Sequence, residues 1–298
     1  MTEFVNFGRT KKMVDKYIKS VNDIDSYAVV GNPIAHSKSP IIHAEFARQT
    51  NQNISYEPIL APLDGFEATV RDLIAKGYKG ANVTVPFKIE AFNIANRQSI
   101  RASAAGAANT LIFKSGDIVI DNTDGIGLIN DLQNNLAMSL GGKRILLLGA
   151  GGAARGVLFP LLIAQPTQVV IANRNLHKAR ELVENMAETE VFKGISIPLI
   201  TSSYRDLNGE YFDVIINATS AGLTDSELPI PDTIFAKNCL AYEMMYGRET
   251  PFMVQARGAG AQVADGLGML VEQAAEAFYS WRGVRPETAP VIEMLRKS

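Results

Sequence analysis

A strand-like stretch at 143–148, apolar from Ile145 onward, passes directly into the string Gly149-Ala150-Gly151-Gly152-Ala153-Ala154-Arg155-Gly156, and residues 157–164 continue with helical apolar spacing. Glycines between a strand and a helix let backbone amides approach a pyrophosphate at the positive helix terminus, with no Cβ in the way. A glycine run alone is a weak signal. One that follows a strand and opens an apolar helix carries the dinucleotide fingerprint, and a second strand at 168–172 arrives on schedule. Further strands at 196–200, 213–217, 239–242 and 262–264 extend this half into a doubly wound, Rossmann-like sheet with helices on both faces.

The end of the second strand selects the cofactor. NAD sites place an Asp or Glu there to accept the ribose 2′-hydroxyl, whereas this chain has Asn173-Arg174-Asn175, with Lys178 one turn further. A carboxylate would repel a 2′-phosphate; Arg174 can pair with it and stack on adenine. The residues therefore favour NADP over NAD. His177 reads as a solvent-facing helix residue.

The N-terminal half alternates strands and helices as well. A strand at 27–30 turns through Gly31-Asn32-Pro33, and Ser39-Pro40 reads as N-cap and first position of a helix running to Thr50. Ser37 falls one step outside that helix, facing the strand's end. A strand at 56–60 and a helix at 63–76 lead to Gly80-Ala81-Asn82-Val83-Thr84-Val85-Pro86-Phe87-Lys88. Alternation predicts a strand here with one apolar face (Val83, Val85, Phe87), stopped by Pro86, which cannot donate to a ladder. Asn82 and Thr84 then share the other face, with Lys88 just beyond, so amide, hydroxyl and ammonium can converge on a small oxygen-rich molecule. A helix to about residue 95 follows. A strand pair at 111–113 and 118–120 turns through Ser115-Gly116-Asp117, the polar loop 121–127 comes next, and a helix is expected over 127–136. The βαβα order implies a mainly parallel sheet, with ligands beyond the carboxyl ends of its strands.

At 298 residues the chain has room for two cores, and a net charge of −2 gives no general attraction to nucleic acid or anionic membrane. A small-molecule partner is expected, in a monomer or a homodimer. One cysteine, Cys239, and three histidines without metal-ligand spacing fit a reducing cytoplasm and offer no metal site. No apolar run reaches the roughly 18 residues that span a bilayer. Residues 1–25 form an N-terminal extension, read as a short basic amphipathic helix or arm. Residues 26–124 read as a substrate-binding, catalytic α/β domain, 125–264 as the NADP-binding domain, and 265–298 as helices returning to the first.

Together these strings resemble the shikimate dehydrogenase family, of the NADP-dependent biosynthetic type. Those carrying the resemblance are Gly31-Asn32-Pro33-Ile34-Ala35-His36-Ser37-Lys38-Ser39-Pro40, Asn82-Val83-Thr84-Val85-Pro86-Phe87-Lys88, Asn122-Thr123-Asp124-Gly125, the glycine-rich string, Asn173-Arg174 and Asp265-Gly266-Leu267-Gly268-Met269-Leu270. The resemblance implies reversible, NADPH-dependent reduction of 3-dehydroshikimate to shikimate, on the route to chorismate and the aromatic amino acids. It implies Lys88 and Asp124 as the catalytic pair. It further implies that Ser37, Ser39, Asn82, Thr84, Asn109, Tyr246 and Gln273 hold the substrate. Gly149, Ala150, Gly151, Gly152, Ala153, Asn173, Arg174, Asn175, Lys178, Met244, Gly266 and Met269 are the implied cofactor residues. Asn175 stands where many relatives carry Thr, Lys178 where some carry Arg, and Glu243, read as a local packing variant, where Asp is usual. The alternatives are an NAD-using quinate/shikimate dehydrogenase and a non-catalytic protein that senses shikimate-like ligands.

Overall fold

The computed structural model describes residues 24–297, so the N-terminal helix or arm expected within residues 1–25 lies almost wholly outside the described residues. The chain forms two six-stranded sheets. The first is built from β1 (Asp25–Gly31), β2 (Ile54–Leu60), β3 (Gly80–Val83), β4 (Arg97–Gln98), β5 (Thr110–Lys114) and β6 (Asp117–Asp121). Its order is β2-β1-β3-β5-β6-β4. The expected parallel pairing holds for β1 with β2 and β3, and the expected hairpin of β5 and β6 adds antiparallel pairings to β3 and within itself. Around this sheet run α1 (Ser39–Thr50), α2 (Phe66–Ala75), α3 (Lys88–Asn93) and α4 (Ile100–Ala105).

The second sheet is parallel throughout. It contains β7 (Arg144–Leu148), β8 (Gln168–Ala172), β9 (Leu199–Ser202), β10 (Phe212–Asn217), β11 (Phe235–Glu243) and β12 (Gln262–Asp265), in the order β12-β11-β10-β7-β8-β9. A parallel sheet covered on both faces needs apolar residues on both sides of its strands, and β7 supplies them from Ile145 to Leu148. Ile145 and Leu147 enter one core with Val169, Ile171, Val214 and Ile216, while Leu146 and Leu148 enter the opposite core with Val170 and Ile215. At about 1.5–3 kcal/mol for each fully buried aliphatic side chain, this double-sided burial fixes the strand at the centre.

Two helices join the sheets. After β6 the chain enters α5 (Asp124–Asn130) and a π-helical turn at Asp131–Asn135; α6 (Gly152–Ile163), α7 (Leu176–Ala187) and α8 (Pro251–Gly258) then flank the second sheet. From β12 the chain returns through α9 (Leu267–Arg282), and α10 (Ala289–Arg296) follows. On α9, Leu267, Val271, Ala274 and Phe278 share a core with Ile42 and Phe46 of α1, and the Trp281 indole N–H donates to the Leu111 carbonyl at 3.0 Å.

Several local expectations need correction. The ladder of β3 ends at Val83, three residues before Pro86, and Val85 is 62% exposed rather than part of an apolar face. The strand lies between β1 and β5, so Gly80 to Val83 are buried on both faces and polar alternation does not mark an exposed side. Ser39 is the first helical residue of α1, not its cap; Lys38 holds the cap position, and the Ser37 hydroxyl accepts the Ser39 N–H at 3.3 Å. Helix α5 begins at Asp124, three residues before the predicted start, because Asp124 N–H is held by the Asn122 side chain at 3.1 Å.

Candidate active site

The carboxyl ends of β1 and β3 face the crossing of α5 and α9, and the space between them is a cavity of about 340 Å³. All nine residues expected to act on or hold the substrate line it: Ser37, Ser39, Asn82, Thr84, Lys88, Asn109, Asp124, Tyr246 and Gln273. Met244, Gly266 and Met269, expected on the cofactor side, line the same cavity. Lys88 opens α3 and Asp124 opens α5, and their side chains meet with Lys88 Nζ 2.5 Å from Asp124 Oδ2. Lys88 retains 32% side-chain exposure and Asp124 20%, so the pair is sheltered yet reachable from the cleft.

Behind this pair the amides are crowded. Asn109 Nδ2 donates to Asp124 Oδ1 at 2.9 Å and to Gln273 Oε1 at 3.3 Å, while its Oδ1 accepts the Thr123 backbone N–H at 2.8 Å. Asn82 donates to the Asn109 carbonyl at 3.1 Å and to Thr110 Oγ1 at 3.2 Å. Its Oδ1 accepts the Tyr56 hydroxyl at 2.7 Å, so the amide offers a ligand only a remaining lone pair on that oxygen. Tyr56, Thr110 and Thr123 were absent from the expected set. Tyr56 carried only a strand signal, Thr110 fell just before the strand expected at 111–113, and Thr123 was read only as part of the polar loop and of the string Asn122-Thr123-Asp124-Gly125.

The segment carrying Met244 and Tyr246 is anchored from beneath. Glu243 is wholly buried. Its carboxylate accepts from Asn217 Nδ2 at 2.7 Å, the Thr250 hydroxyl at 2.9 Å and the Met245 N–H at 3.1 Å. Burial pushes its pKa up, and these donors act against that shift. Glu243 is therefore the tie between β10, β11 and the start of α8 rather than a passive packing variant. Burial also raises the Tyr246 hydroxyl.

The nucleotide-binding expectations fall on a contiguous edge of the second sheet. Gly149 has φ +108, and a Cβ there would lie 3.0 Å from the Ala218 carbonyl oxygen, so the turn out of β7 admits only glycine without strain. At Gly151 and Gly152 an added Cβ would meet nothing within 4 Å, and no side chain caps α6. The first amides of a twelve-residue helix thus face open space that a diphosphate can fill. Ala150, Gly151, Gly152 and Lys178 line a cavity of about 360 Å³ together with Arg155. Ala153 and Arg174 are exposed at the same edge. Asn175 caps α7 by accepting the His177 N–H at 3.0 Å, and Asn173 Nδ2 donates to the Asn175 carbonyl at 2.8 Å. These two asparagines shape the turn that presents Arg174. Among the described residues no group of His, Cys, Asp and Glu could hold a metal ion, and no helix is long and apolar enough to cross a membrane.

Three family models match the chain. They are the shikimate dehydrogenase substrate binding domain over residues 29–111, shikimate/quinate 5-dehydrogenase over 131–224 and the shikimate 5′-dehydrogenase C-terminal domain over 266–296. A shikimate dehydrogenase (NADP(+)) of Methylobacillus flagellatus is 56% identical over 274 residues, covering 92% of this chain and 99% of that protein. Among solved structures, an Ael1 enzyme from Pseudomonas putida is 49% identical with a TM-score of 0.84, covering 91% of this chain and 98% of that one. A shikimate 5-dehydrogenase from Thermus thermophilus, in complex with NADP(H) and shikimate, is 30% identical with a TM-score of 0.80, covering 92% of this chain and 99% of that one.

Proposed function

The chain belongs to the shikimate dehydrogenase family, and from that premise we propose that its central cleft carries out the NADP-dependent interconversion of shikimate and 3-dehydroshikimate. Shikimate occupies the first-sheet side and NADP the second. The observation carrying this reading is the Lys88–Asp124 pair at 2.5 Å, in a cavity whose far wall is Met244 and Met269.

Bound NADPH supplies the hydride. Hydride arrival at a ketone builds negative charge on its oxygen, and the Lys88 ammonium, held beside that position, stabilises the charge and delivers the proton. In the oxidation direction neutral Lys88 takes the hydroxyl proton. Asp124, 2.5 Å from Lys88 Nζ, orients the ammonium toward the substrate. Asn109 holds the other oxygen of Asp124 and the Gln273 side chain, so it sets the frame of the pair. Ser37, Ser39 and Thr84 offer hydroxyls and Tyr246 a phenol to the carboxylate and hydroxyls of the substrate. Met244 and Met269 give the nicotinamide an apolar wall.

The nucleotide end follows the same chemistry. The open amides at Gly151 and Gly152 suit the pyrophosphate, and Arg174 with Lys178 the 2′-phosphate. The reducing cytoplasm suits an NADPH-consuming enzyme whose single cysteine, Cys239, is buried and free.

The test is oxidation of shikimate followed by nicotinamide absorbance, with NADP or NAD and with quinate in place of shikimate. Turnover with shikimate and NADP well above the other combinations is the expected result. Comparable rates with quinate or NAD assign the chain to the catabolic relatives, and shikimate binding without turnover assigns it to a sensor.

A further inference from the structure

The hydrogen bonds behind the catalytic pair have a single allowed direction. Lys88 can only donate and the Asp124 carboxylate can only accept, so Asn109 must turn its amino group toward Asp124. Asn109 Oδ1 then faces the Thr110 hydroxyl, which donates to it at 2.9 Å, and the Thr123 backbone N–H fixes the same orientation independently. Having given its proton to Asn109, Thr110 Oγ1 accepts from Asn82 at 3.2 Å. Both N–H groups of Asn82 are then engaged, its carbonyl oxygen looks away, and Tyr56 donates to it at 2.7 Å. Reversing any member would set acceptor against acceptor.

The middle of the chain is buried and its far end is clamped. Thr110 is 0% exposed, Asn109 3% and Asn82 6%, and Tyr56 is half-buried. The Tyr56 ring stacks on His43, with centroids 4.1 Å apart and planes 9° from parallel. His43 is itself wholly buried, among Phe46, Phe278 and Trp281.

We propose that Tyr56 is a positioning residue for the catalytic pair, acting on Asp124 through Asn82, Thr110 and Asn109. This rests on the reading of the cleft as the shikimate site. Without the phenolic donor, the Asn82 oxygen is buried and unpaired, its amide loosens, and the slack passes to the carboxylate that aims Lys88.

The experiment is steady-state shikimate oxidation with NADP by Tyr56→Phe, Thr110→Val, Thr110→Ser and the double variant Tyr56→Phe/Thr110→Val, each checked for folding by circular dichroism and NADP binding. Tyr56→Phe is expected to lower kcat about tenfold while KM for NADP stays at the wild-type value. Thr110→Val should do the same, Thr110→Ser should keep wild-type kcat, and the double variant should fall no further than the worse single one, because each cuts one chain. Wild-type kcat in Tyr56→Phe, or losses that multiply in the double variant, overturn the proposal. Where Tyr56→Phe does not fold, the contrast of Thr110→Val with Thr110→Ser decides, and equal kcat in those two overturns it. A wild type without shikimate turnover overturns the functional reading itself, a result distinct from an active wild type matched by Tyr56→Phe.

Discussion

Lys88 and Asp124 stand 36 positions apart in the chain and meet because each opens a helix at the same edge of the first sheet. Truncating Lys88 to Ala removes the proposed proton carrier and the positive charge together, so kcat for shikimate should drop by about 10²–10⁴ while NADP affinity holds. Parallel losses in kcat and in shikimate binding, measured by kinetics and calorimetry, would make Lys88 a binding residue instead. His43 supports a second prediction. Burial pushes its pKa from 6.5 down to about 3, the Asn82 amide acts against that shift without reaching hydrogen-bonding geometry, and neither ring nitrogen has a partner. Between those two pH values the unfolded chain binds a proton that the folded chain refuses, so the pH-linked cost of this residue is absent well above pH 6.5 and grows as pH falls. The slope is about 1.4 kcal/mol per pH unit. His43→Phe should therefore gain about 2 kcal/mol on the wild type between pH 7 and pH 5, read from urea unfolding. An unchanged difference would mean that His43 titrates normally. Lys88 and Asp124 stood out in the sequence as members of compact polar strings, and the family resemblance is what paired them as catalytic candidates; Tyr56 and His43 did not stand out, since their surroundings depend on Asn82, contributed by another strand.

At the scale of elements, the site depends on how closely α5 and α9 cross. Gly127 makes that approach possible: a Cβ there would sit 2.7 Å from Gln273 Cβ, 2.8 Å from Gln273 N and 2.9 Å from the Met269 carbonyl oxygen. Two of these neighbours are backbone, so relief requires the helices to part. Gly127→Ala should destabilise the fold by about 1–3 kcal/mol despite alanine's better helix propensity, and it should raise KM for shikimate by displacing Gln273. Denaturant unfolding with substrate kinetics checks this; a stabilised variant with unchanged KM would show that the crossing is loose. The strands and helices around this crossing were legible from period and punctuation, and most differ from expectation by a few residues at their ends. The order of the first sheet was less so. Alternation in 82–87 suggested a one-sided strand, but β3 is a short central strand and the polar groups beyond Val83 belong to a turn. Sequence period cannot separate a half-exposed strand from a central one whose polar groups are paired internally, as Asn82 is with Tyr56 and Thr110.

At the scale of the whole molecule, the two sheets carry separate cores but share their connecting helices. Leu128, Ile129 and Leu132, in α5 and the turn after it, pack into the second sheet's core, while the first residue of α5, Asp124, serves the first-sheet side of the cleft. Helix α9 does the converse: Met269 enters the second core, and Leu267, Val271, Ala274 and Phe278 pack with α1. Arg101 of α4 ties the crossing further, pairing with Asp121 of β6 and with Glu276 of α9 at 2.9 Å. Losing either sheet would expose apolar surface on helices that the other requires, so neither half is expected to unfold alone. Heating the protein should give one calorimetric transition with equal van't Hoff and calorimetric enthalpies. NADP at 100 times its dissociation constant should move that whole transition, adding about 2.7 kcal/mol to the unfolding free energy, although its proposed site lies mainly on the second sheet. Tyr27 of β1 and the half-buried Trp281 of α9, stacked at 4.6 Å, report on the half away from the proposed NADP site. Their near-ultraviolet signal should melt with the rest and shift upward by the same amount. Two transitions, with NADP raising only one and the Trp281 signal following the other, would mean that α5 and α9 tether the halves without coupling their folding.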